Sequence, residues 1–344
     1  MILTIAVAVL SMTALQAQGW FRQPTPNDTL RSVVVLPDNS VVFQIYAPNA
    51  QRVSVSGDLP WDRPAVFTKE ENGVWKGRIA KMDEGVFRYK FSVDGMSVYD
   101  PKAPNASETS ALLTVDKDSD SFFAMKNVPH GAVAERYYWS ETLGSMRRLH
   151  VWTPAGYEKS SKKLPVLYLV HGGGDTDNSW PGVGAAGLIL DNLMAEGKME
   201  PMVVVMPNGT IEMPDGNFQG EVPIFAKDMI TSIIPFIEDN YRVYADQDHR
   251  AMAGLSMGGM QTRSITMANP TTFAYVGMFS GGTFRAEDLK EAADFKKTNK
   301  VLFMSCGGKE NMGVDKAAED LKAIGINAYS YVSPETAHEW QTWR

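Results

Sequence analysis

A glycine-flanked serine is the strongest chemical signal in the sequence. Gly254-Leu255-Ser256-Met257-Gly258 follows a short apolar run and precedes a segment with helical spacing. In a strand–turn–helix setting, this G-x-S-x-G pattern forms a tight turn that presents the serine hydroxyl at the carboxyl edge of a sheet. The amino end of the following helix favours the negative charge that develops beside the serine. We therefore predict that Ser256 is a catalytic nucleophile.

Two further residues complete a predicted catalytic triad. In this class of sheet the triad follows the chain as serine, acid and histidine, and His338 is the only histidine after Ser256. Glu310 follows the strand-like run 301–306 after a short glycine turn. Its predicted role is to hold the imidazole tautomer and stabilise the imidazolium. Asp315 is the alternative acid.

Stabilising a tetrahedral intermediate requires two backbone N–H donors. The residue after the nucleophile, Met257, supplies one of them, and Gly173 in the loop His171-Gly172-Gly173-Gly174 is the predicted source of the other. His171 is interpreted as a residue that packs this loop, not as a base. Together these groups predict acyl transfer to water through a covalent acyl-enzyme.

Aromatic residues are candidate binding surfaces, with ordinary packing as the alternative for each. In the catalytic half, four aromatic residues fall in predicted loops and are candidates to line an acyl pocket. These residues are Trp180, Phe218, Phe225 and Trp340. In the amino-terminal half, Trp61 lies in a proline-flanked loop and is the candidate for glycan binding.

Composition narrows the classes of function. The 344 residues include 33 Lys and Arg against 40 Asp and Glu, a net charge of −7, and no basic run compensates locally. Such a chain is a poor nucleic-acid binder. Its single cysteine, Cys306, excludes an intrachain disulfide framework and a cysteine-cluster metal site, and its apolar strand predicts a buried thiol. We expect neither a cofactor nor a metal.

The first residues predict export. Residues 2–15 form an apolar run of 14, which is shorter than the roughly 20 residues that a membrane-spanning helix needs. The run fits the core of a secretory signal peptide over residues 1–17. A buried strand or helix is the alternative. We predict a secreted or periplasmic protein without a membrane span.

Two parts of the chain differ in their hydrophobic patterns. Residues 25–117 contain short Val-, Phe-, Tyr- and Ile-rich runs broken by turn residues, a pattern typical of a small immunoglobulin-like β-sandwich. Residues 118–144 are interpreted as a linker and domain entry. Residues 145–344 alternate strands with helices, which predicts a mainly parallel sheet covered on both faces. The predicted fold class is α/β, with an α/β-hydrolase catalytic domain after the sandwich.

Several segments of the second part resemble carbohydrate esterase family one, the esterase D-like feruloyl esterases. These segments are His171–Gly174, Ile189–Leu193, Met202–Asn208, Asp248–Gly259 and His338–Trp340. Carried over by motif, the resemblance implies Ser256 as nucleophile, His338 as base and Glu310 as acid, where the family usually has Asp. Family members continue with a further helix, whereas this chain stops six residues after His338. The resemblance therefore raises the expectation of a C-terminal truncation.

The first part resembles the family-48-type carbohydrate-binding modules of the E-set class. Arg88–Gly95 and Tyr99–Pro101 carry this likeness. Together the two resemblances imply a secreted serine esterase that acts on feruloylated arabinoxylan of the plant cell wall or on its oligosaccharides. The alternatives are an acetyl-xylan or other carbohydrate deacetylase, a siderophore esterase of the enterochelin type, and a carbohydrate-binding protein with an inactive esterase domain.

Overall fold

The structure is a computed structural model that describes residues 22–116, 120–212, 218–290 and 292–344. The predicted signal peptide over residues 1–17 lies outside the described residues, as do residue 117 of the predicted sandwich and residues 118 and 119 of the predicted linker. Within the described ranges, no helix is both long enough and apolar enough to cross a bilayer.

The amino-terminal part is a sandwich of two antiparallel sheets. Its strands are β1 (Val33–Val35), β2 (Val41–Tyr46), β3 (Val53–Gly57), β4 (Val66–Lys69), β5 (Val74–Ile79), β6 (Gly85–Val93), β7 (Met96–Val98), β8 (Asn105–Ala106) and β9 (Ala111–Val115). One sheet has the order β1-β2-β5-β4, and the other has the order β3-β6-β9-β8 with β7 beside β6. The predicted immunoglobulin-like β-sandwich is confirmed.

Aromatic side chains fill the space between these two sheets. Phe43 from the first sheet meets Tyr89 from the second edge to face, with ring centroids 5.4 Å apart. Phe91 packs edge-on against both rings. Trp75 is buried in the same core, and its indole N–H donates to the Ala47 carbonyl at 3.0 Å. These aromatic residues therefore hold the sandwich together and present no binding surface.

The remainder of the chain forms an α/β domain. Its strands are β10 (Ala132–Ser140), β11 (Ser145–Thr153), β12 (Val166–Val170), β13 (Val203–Pro207), β14 (Arg250–Leu255), β15 (Tyr275–Phe279), β16 (Val301–Gly307) and β17 (Ala328–Ser333). Its helices are α1 (Ala186–Ala195), α2 (Phe218–Asp228), α3 (Ile234–Asn240), α4 (Met257–Ala268), α5 (Ala286–Leu289), α6 (Ala293–Thr298), α7 (Val314–Ala323) and α8 (Trp340–Trp343). A π-helical turn, Met229–Ile233, joins α2 to α3.

One eight-stranded sheet organises this domain, in the order β10-β11-β13-β12-β14-β15-β16-β17. β10 and β11 run antiparallel at one edge, and the strands from β13 to β17 in this order pair in parallel. The predicted α/β fold class is confirmed. Because parallel strands end at the same edge, the loops that follow β12, β14, β15, β16 and β17 converge there.

Strand β10 lies within the segment that the sequence suggests as linker and domain entry. It pairs with β11 along its whole length, from Ala132 opposite Thr153 to Ser140 opposite Ser145. Exposed side chains alternate with partly or fully buried ones along most of it, because successive side chains of a strand point to opposite faces of the sheet. Residues 132–140 are thus part of the large sheet.

The two parts of the chain share one hydrophobic cluster. Val86 and Leu112 of the sandwich belong to the same buried cluster as Trp152 and Trp340 of the α/β domain. Polar contacts add to it, because Arg148 of β11 forms an ion pair with Glu108 of the sandwich. The sandwich is therefore packed directly against the α/β domain.

Candidate active site

Ser256 sits in a strained turn between β14 and α4. Its backbone has φ 49° and ψ −114°, which is unusual for a residue with a side chain. The flanking glycines permit this turn. A Cβ atom on Gly254 would lie 2.4 Å from the Gly258 backbone, and a Cβ on Gly258 would lie 2.4 Å from the His171 carbonyl oxygen. The sequence therefore brings the serine to the carboxyl edge of the sheet, as its glycine spacing predicts.

A continuous hydrogen-bond chain links the three residues of the predicted triad. His338 Nε2 lies 2.8 Å from Ser256 Oγ, and His338 Nδ1 lies 2.6 Å from Glu310 Oε1. The imidazole side chain is 47% exposed, whereas the Glu310 carboxylate is only 6% exposed. This arrangement gives the serine a neighbouring base and gives the base a fixed orientation.

The Glu310 carboxylate is held by three donors. Besides His338, the Ser280 hydroxyl and the Gly307 N–H each donate to Oε2 at 2.6 Å. Burial opposes the negative charge, but the hydrogen bonds from Ser280, His338 and Gly307 outweigh burial and lower the pKa of Glu310. The alternative acid, Asp315, is exposed in the first turn of α7. Glu310 is thus the carboxylate that the structure places beside the histidine.

Two residues of this network are absent from the sequence-based prediction. Trp343 donates its indole N–H to Ser280 Oγ at 2.8 Å, and its ring packs edge-on against the His338 ring at 4.9 Å. A signal for Ser280 exists, because it follows β15 directly and β15 is the strand beside that of the nucleophile. Trp343 lies only five positions after His338, but its spacing carries no comparable signal.

The glycine loop after β12 passes beside the nucleophile. A Cβ atom built on Gly172 would lie 3.5 Å from Ser256 Cβ, and one built on Gly173 would lie 3.9 Å from Met257 Cβ. As the first residue of α4, Met257 has an N–H without an intrahelical partner. The predicted oxyanion donors, Met257 and Gly173, are thus neighbours next to the serine.

His171 holds this loop in place. The imidazole is buried, and its Nε2 accepts the Gly209 N–H at 3.0 Å. Its Nδ1 lies 2.8 Å from the Gly172 carbonyl oxygen. Both nitrogens are therefore occupied by backbone groups, which agrees with a packing role.

A cleft of about 800 Å³ opens above the serine. Ser256, His338 and the glycine loop line it, and so does Trp340, one of the four aromatic residues predicted for a pocket. The opposite wall comes from the sandwich and includes Trp61, the predicted glycan-binding residue, whose surface is 91% exposed.

The prediction that Phe225 lines the pocket is wrong. Its side chain is 0% exposed and lies in the main core beneath the sheet, because α2 turns it inward. Trp180 is likewise buried, donates its indole N–H to the Val170 carbonyl at 3.1 Å and packs edge-on against Trp340. Trp180 therefore packs against a residue of the cleft wall and does not line the cleft itself. The side chain of Phe218 lies outside the described part of the chain.

No metal-binding group of side chains is found among the residues that the structure describes. No group of three or more His, Cys, Asp or Glu residues among them is arranged to hold a metal ion. Cys306, at 2% exposure, is buried in β16, and burial raises the pKa of its thiol.

Family models match both parts of the chain. The model of the esterase family, described as "Putative esterase", matches residues 140–344. The model of carbohydrate-binding module 48 (isoamylase N-terminal domain) matches residues 32–116. The two matched segments correspond to the α/β domain and the sandwich.

A curated relative shares both parts. The chain is 41% identical over 316 residues to an endo-1,4-beta-xylanase/feruloyl esterase of Xylanibacter ruminicola, an alignment that covers 88% of this chain and 43% of the relative. This chain thus spans less than half of that relative. It also spans 21% of an endo-1,4-beta-xylanase of Acetivibrio thermocellus and 32% of an esterase of Mycobacterium tuberculosis that it matches.

Solved structures share the fold. A ferulic acid esterase of Anaeromyces mucronatus in complex with ferulic acid is similar with a TM-score of 0.55 at 23% identity, covering 65% of this chain and 91% of that one. An enterochelin esterase of Shigella flexneri is similar with a TM-score of 0.59 at 17% identity, covering 91% of this chain and 92% of that one. At these identities the likeness concerns the fold alone.

Proposed function

Because residues 140–344 place this chain in the esterase family of carboxylic ester hydrolases, we propose that it is a secreted serine esterase that hydrolyses feruloyl esters of arabinoxylan. The observation that carries the catalytic part is the hydrogen-bond chain from Ser256 through His338 to Glu310. The same hydrogen bonds argue against the alternative of a carbohydrate-binding protein with an inactive esterase domain.

Acylation uses the three residues in their predicted roles. His338 Nε2 accepts the proton of Ser256 Oγ as the serine oxygen attacks the ester carbonyl carbon. The negative charge that forms on the carbonyl oxygen is stabilised by the N–H groups of Met257 and Gly173 and by the amino end of α4. The imidazolium then protonates the departing alcohol, and the acyl group stays on the serine.

Deacylation repeats these steps with water. His338 removes a proton from a water molecule that attacks the acyl-enzyme, and it returns the proton to Ser256 Oγ when the acid leaves. Throughout the cycle Glu310 remains ionised, because its donors Ser280 and Gly307 and the imidazole all favour the carboxylate. A fixed, charged carboxylate stabilises the imidazolium in both halves of the reaction.

The substrate class rests on the relative and on the sandwich. The 41% identical relative is named for xylanase and feruloyl esterase activities, and the sandwich matches a carbohydrate-binding family. The apolar segment 2–15 supports export, which an enzyme needs to reach a cell-wall polymer. Mass spectrometry of the protein recovered from the medium or periplasm tests export, and an uncleaved segment 1–17 in the cytoplasmic fraction contradicts it.

The catalytic proposal is tested with Ser256→Ala against a panel of methyl ferulate, acetylated xylan and feruloylated arabinoxylan, with the released acids identified by chromatography. Ser264→Ala, an exposed serine on the same helix, is the matched control and retains activity. Residual hydrolysis by Ser256→Ala above about one part in a thousand contradicts the mechanism. A stronger preference for acetate than for ferulate esters replaces the feruloyl assignment with deacetylation.

A further inference from the structure

The indole of Trp343 contacts two members of the catalytic network at once. Its N–H donates to Ser280 Oγ at 2.8 Å, and its ring meets the His338 imidazole edge to face, with ring centroids 4.9 Å apart. An indole N–H only donates, so Trp343 carries no proton in acylation or deacylation. Any effect of Trp343 on the reaction therefore passes through these two neighbours or through a contact with the substrate, since Trp343 also lines the cleft.

The contact with Ser280 decides where the single proton of that hydroxyl points. Because the indole donates and never accepts, Ser280 Oγ must be the acceptor of this hydrogen bond. The hydroxyl proton is then left for the other oxygen within reach, Glu310 Oε2, at 2.6 Å. The indole thus excludes the orientation in which the hydroxyl points away from the carboxylate.

The backbone of Ser280 is held in a strained conformation. Ser280 is buried, and its φ of 50° lies in the left-handed region, which is uncommon for a residue other than glycine. Its N–H donates to the Ser305 carbonyl at 2.7 Å. Strain of this kind persists only where the surrounding structure enforces it, and it clusters at functional sites. With the backbone fixed, the orientation of the hydroxyl is what the indole still determines.

Trp343 itself is anchored by other indoles. Its ring packs edge-on against Trp340, with centroids 5.4 Å apart, and Trp340 packs edge-on against Trp180 at 5.2 Å. Trp340 and Trp180 are both buried in the cluster shared by the two parts of the chain. The N–H that faces Ser280 is therefore fixed by packing that extends into the core.

We propose that Trp343 is a positioning residue of the reaction, which directs the Ser280 hydroxyl at Glu310 and thereby holds the carboxylate in line with the His338 imidazole. This inference rests on the proposed function. It extends the hydrogen-bond chain of the triad by two residues, so that the chain continues from Glu310 through Ser280 to Trp343. Trp343 acts through Ser280 and needs no contact with the substrate.

Trp343→Phe tests the role, because phenylalanine keeps a ring beside His338 and removes the N–H. We expect kcat on methyl ferulate to fall about fivefold, as for the loss of one neutral hydrogen bond, with KM within about twofold of its original value. Trp75→Phe is the matched control, since it removes an indole N–H that donates to the Ala47 carbonyl in the sandwich core. Its kcat stays unchanged. A raised KM at unchanged kcat overturns the proposal, because it assigns Trp343 to substrate binding.

A double-mutant cycle tests the route through the hydroxyl. In Ser280→Ala the hydroxyl is gone, so adding Trp343→Phe should lower kcat no further. Losses that multiply overturn the route through Ser280 and show that Trp343 acts on His338 by ring contact alone.

Labelling of Ser256 by a fluorophosphonate separates this inference from the choice of substrate. Ser256 Oγ bonds to phosphorus, the P–F bond breaks, fluoride leaves and His338 takes up the serine proton. Trp343→Phe should label about fivefold more slowly than the unaltered chain, and Trp75→Phe at the original rate. Equal rates for Trp343→Phe and the unaltered chain overturn the positioning role. If the unaltered chain labels but leaves feruloyl esters intact, only the proposed substrate fails, and the labelling rates still decide on Trp343; a Ser256 that does not label contradicts both.

Discussion

Arg88 of the sandwich and Asp175 of the α/β domain form an ion pair across the boundary between the two domains. Asp175 directly follows the glycines 172–174 that pass beside the nucleophile, and its carboxylate is 9% exposed. Arg88 also binds Asp58, the first residue of the sandwich loop Asp58–Arg63 that lines the cleft and carries Trp61. One guanidinium therefore connects the loop that carries Trp61 to the loop that carries the proposed oxyanion donor.

Removing this guanidinium should slow the chemical step. We expect Arg88→Ala to lower kcat on methyl ferulate about tenfold with a smaller change in KM, because the loop with Gly173 loses its anchor and small displacements of catalytic groups are costly. Arg88→Lys keeps the charge but loses the forked geometry, so it should restore only part of the rate. Steady-state kinetics on both variants measure the effect.

The matched control is Arg78→Ala, which removes an exposed ion pair with Asp38 on the same sandwich. This control should leave kcat unchanged. A double-mutant cycle of Arg88→Ala with Asp175→Asn completes the test, since two residues in contact couple by about 0.5–3 kcal/mol. Additive effects in that cycle contradict a positioning role for the pair.

Ser280 should matter for the charge of the acid. Ser280→Ala removes the hydrogen bond that does most to lower the pKa of Glu310, so this pKa rises toward its ordinary value. The carboxylate then protonates at a higher pH as the solution is acidified. We expect kcat to fall about tenfold at neutral pH and to fall further at about pH 5, relative to about pH 8, than it does in the unaltered chain.

The pH profile separates this electrostatic effect from a packing effect. Ser330→Ala, in the edge strand β17 of the same sheet, is the control and should keep the original profile. A Ser280→Ala protein with reduced kcat but the original ratio of activities at the two pH values indicates that Ser280 acts only through packing against Trp343.

A buried ion cluster should make stability depend on acid. Burial disfavours the charge of Asp177, but hydrogen bonds from His150 and Arg148 outweigh burial and lower its pKa to about 2 from the ordinary 3.8. The folded-state pKa is depressed, so the stabilisation is present above the unfolded pKa and is lost as pH falls toward 2. It amounts to about 2 kcal/mol.

Urea unfolding at a series of pH values between about 5 and 2 measures this contribution. Asp177→Asn should flatten the dependence of the unfolding free energy on pH by about that amount. Asp320→Asn, at an exposed ion pair on α7, should leave the slope unchanged. Parallel curves for Asp177→Asn and the unaltered chain would count against the cluster as the source.

The turn at the nucleophile should not tolerate a side chain on Gly258. A Cβ atom there would lie 2.4 Å and 2.7 Å from the carbonyl oxygens of His171 and Val170, which are backbone atoms of β12 and its loop. We expect Gly258→Ala to lower the unfolding free energy by about 2–3 kcal/mol and to abolish activity.

Gly197→Ala is the comparison, because Gly197 has φ +64° and a Cβ atom added to it would meet no other atom within 4 Å. It should cost about 1 kcal/mol, from backbone conformation alone, and it should keep full activity. Equal losses of stability in the two variants would show that crowding at Gly258 is not the cause.

Local patterns in the sequence are sufficient to locate the central residues of the site. Ser256, Glu310 and His338 each lie in a turn or loop after a strand of the parallel sheet. The loops that follow parallel strands meet at one edge of the sheet. Because the triad follows the order serine, acid, histidine along the chain, His338 is the one histidine available as the base. The apolar runs of the strands likewise predict the β-sandwich and the mainly parallel sheet of the α/β domain.

Contacts between distant segments cannot be predicted in this way. Arg88 and Asp175 are charged residues in different domains, and no periodicity relates them. Phe225 is predicted to lie in a loop, but α2 continues through Pro223 and buries the ring. Edge strand β10 escapes sequence-based prediction because its exposed side chains, such as Glu135 and Tyr137, lack an apolar run.

The cleft between the sandwich and the α/β domain has a consequence for how such enzymes diversify. The residues that break the ester bond and the residues of the facing wall match two different family models, one over residues 140–344 and one over residues 32–116. A substitution in the sandwich loop 58–63 therefore alters the shape of the cleft without altering Ser256, His338 or Glu310. The shape of the cleft is thus open to change in one part of the chain while the catalytic residues of the other part are retained.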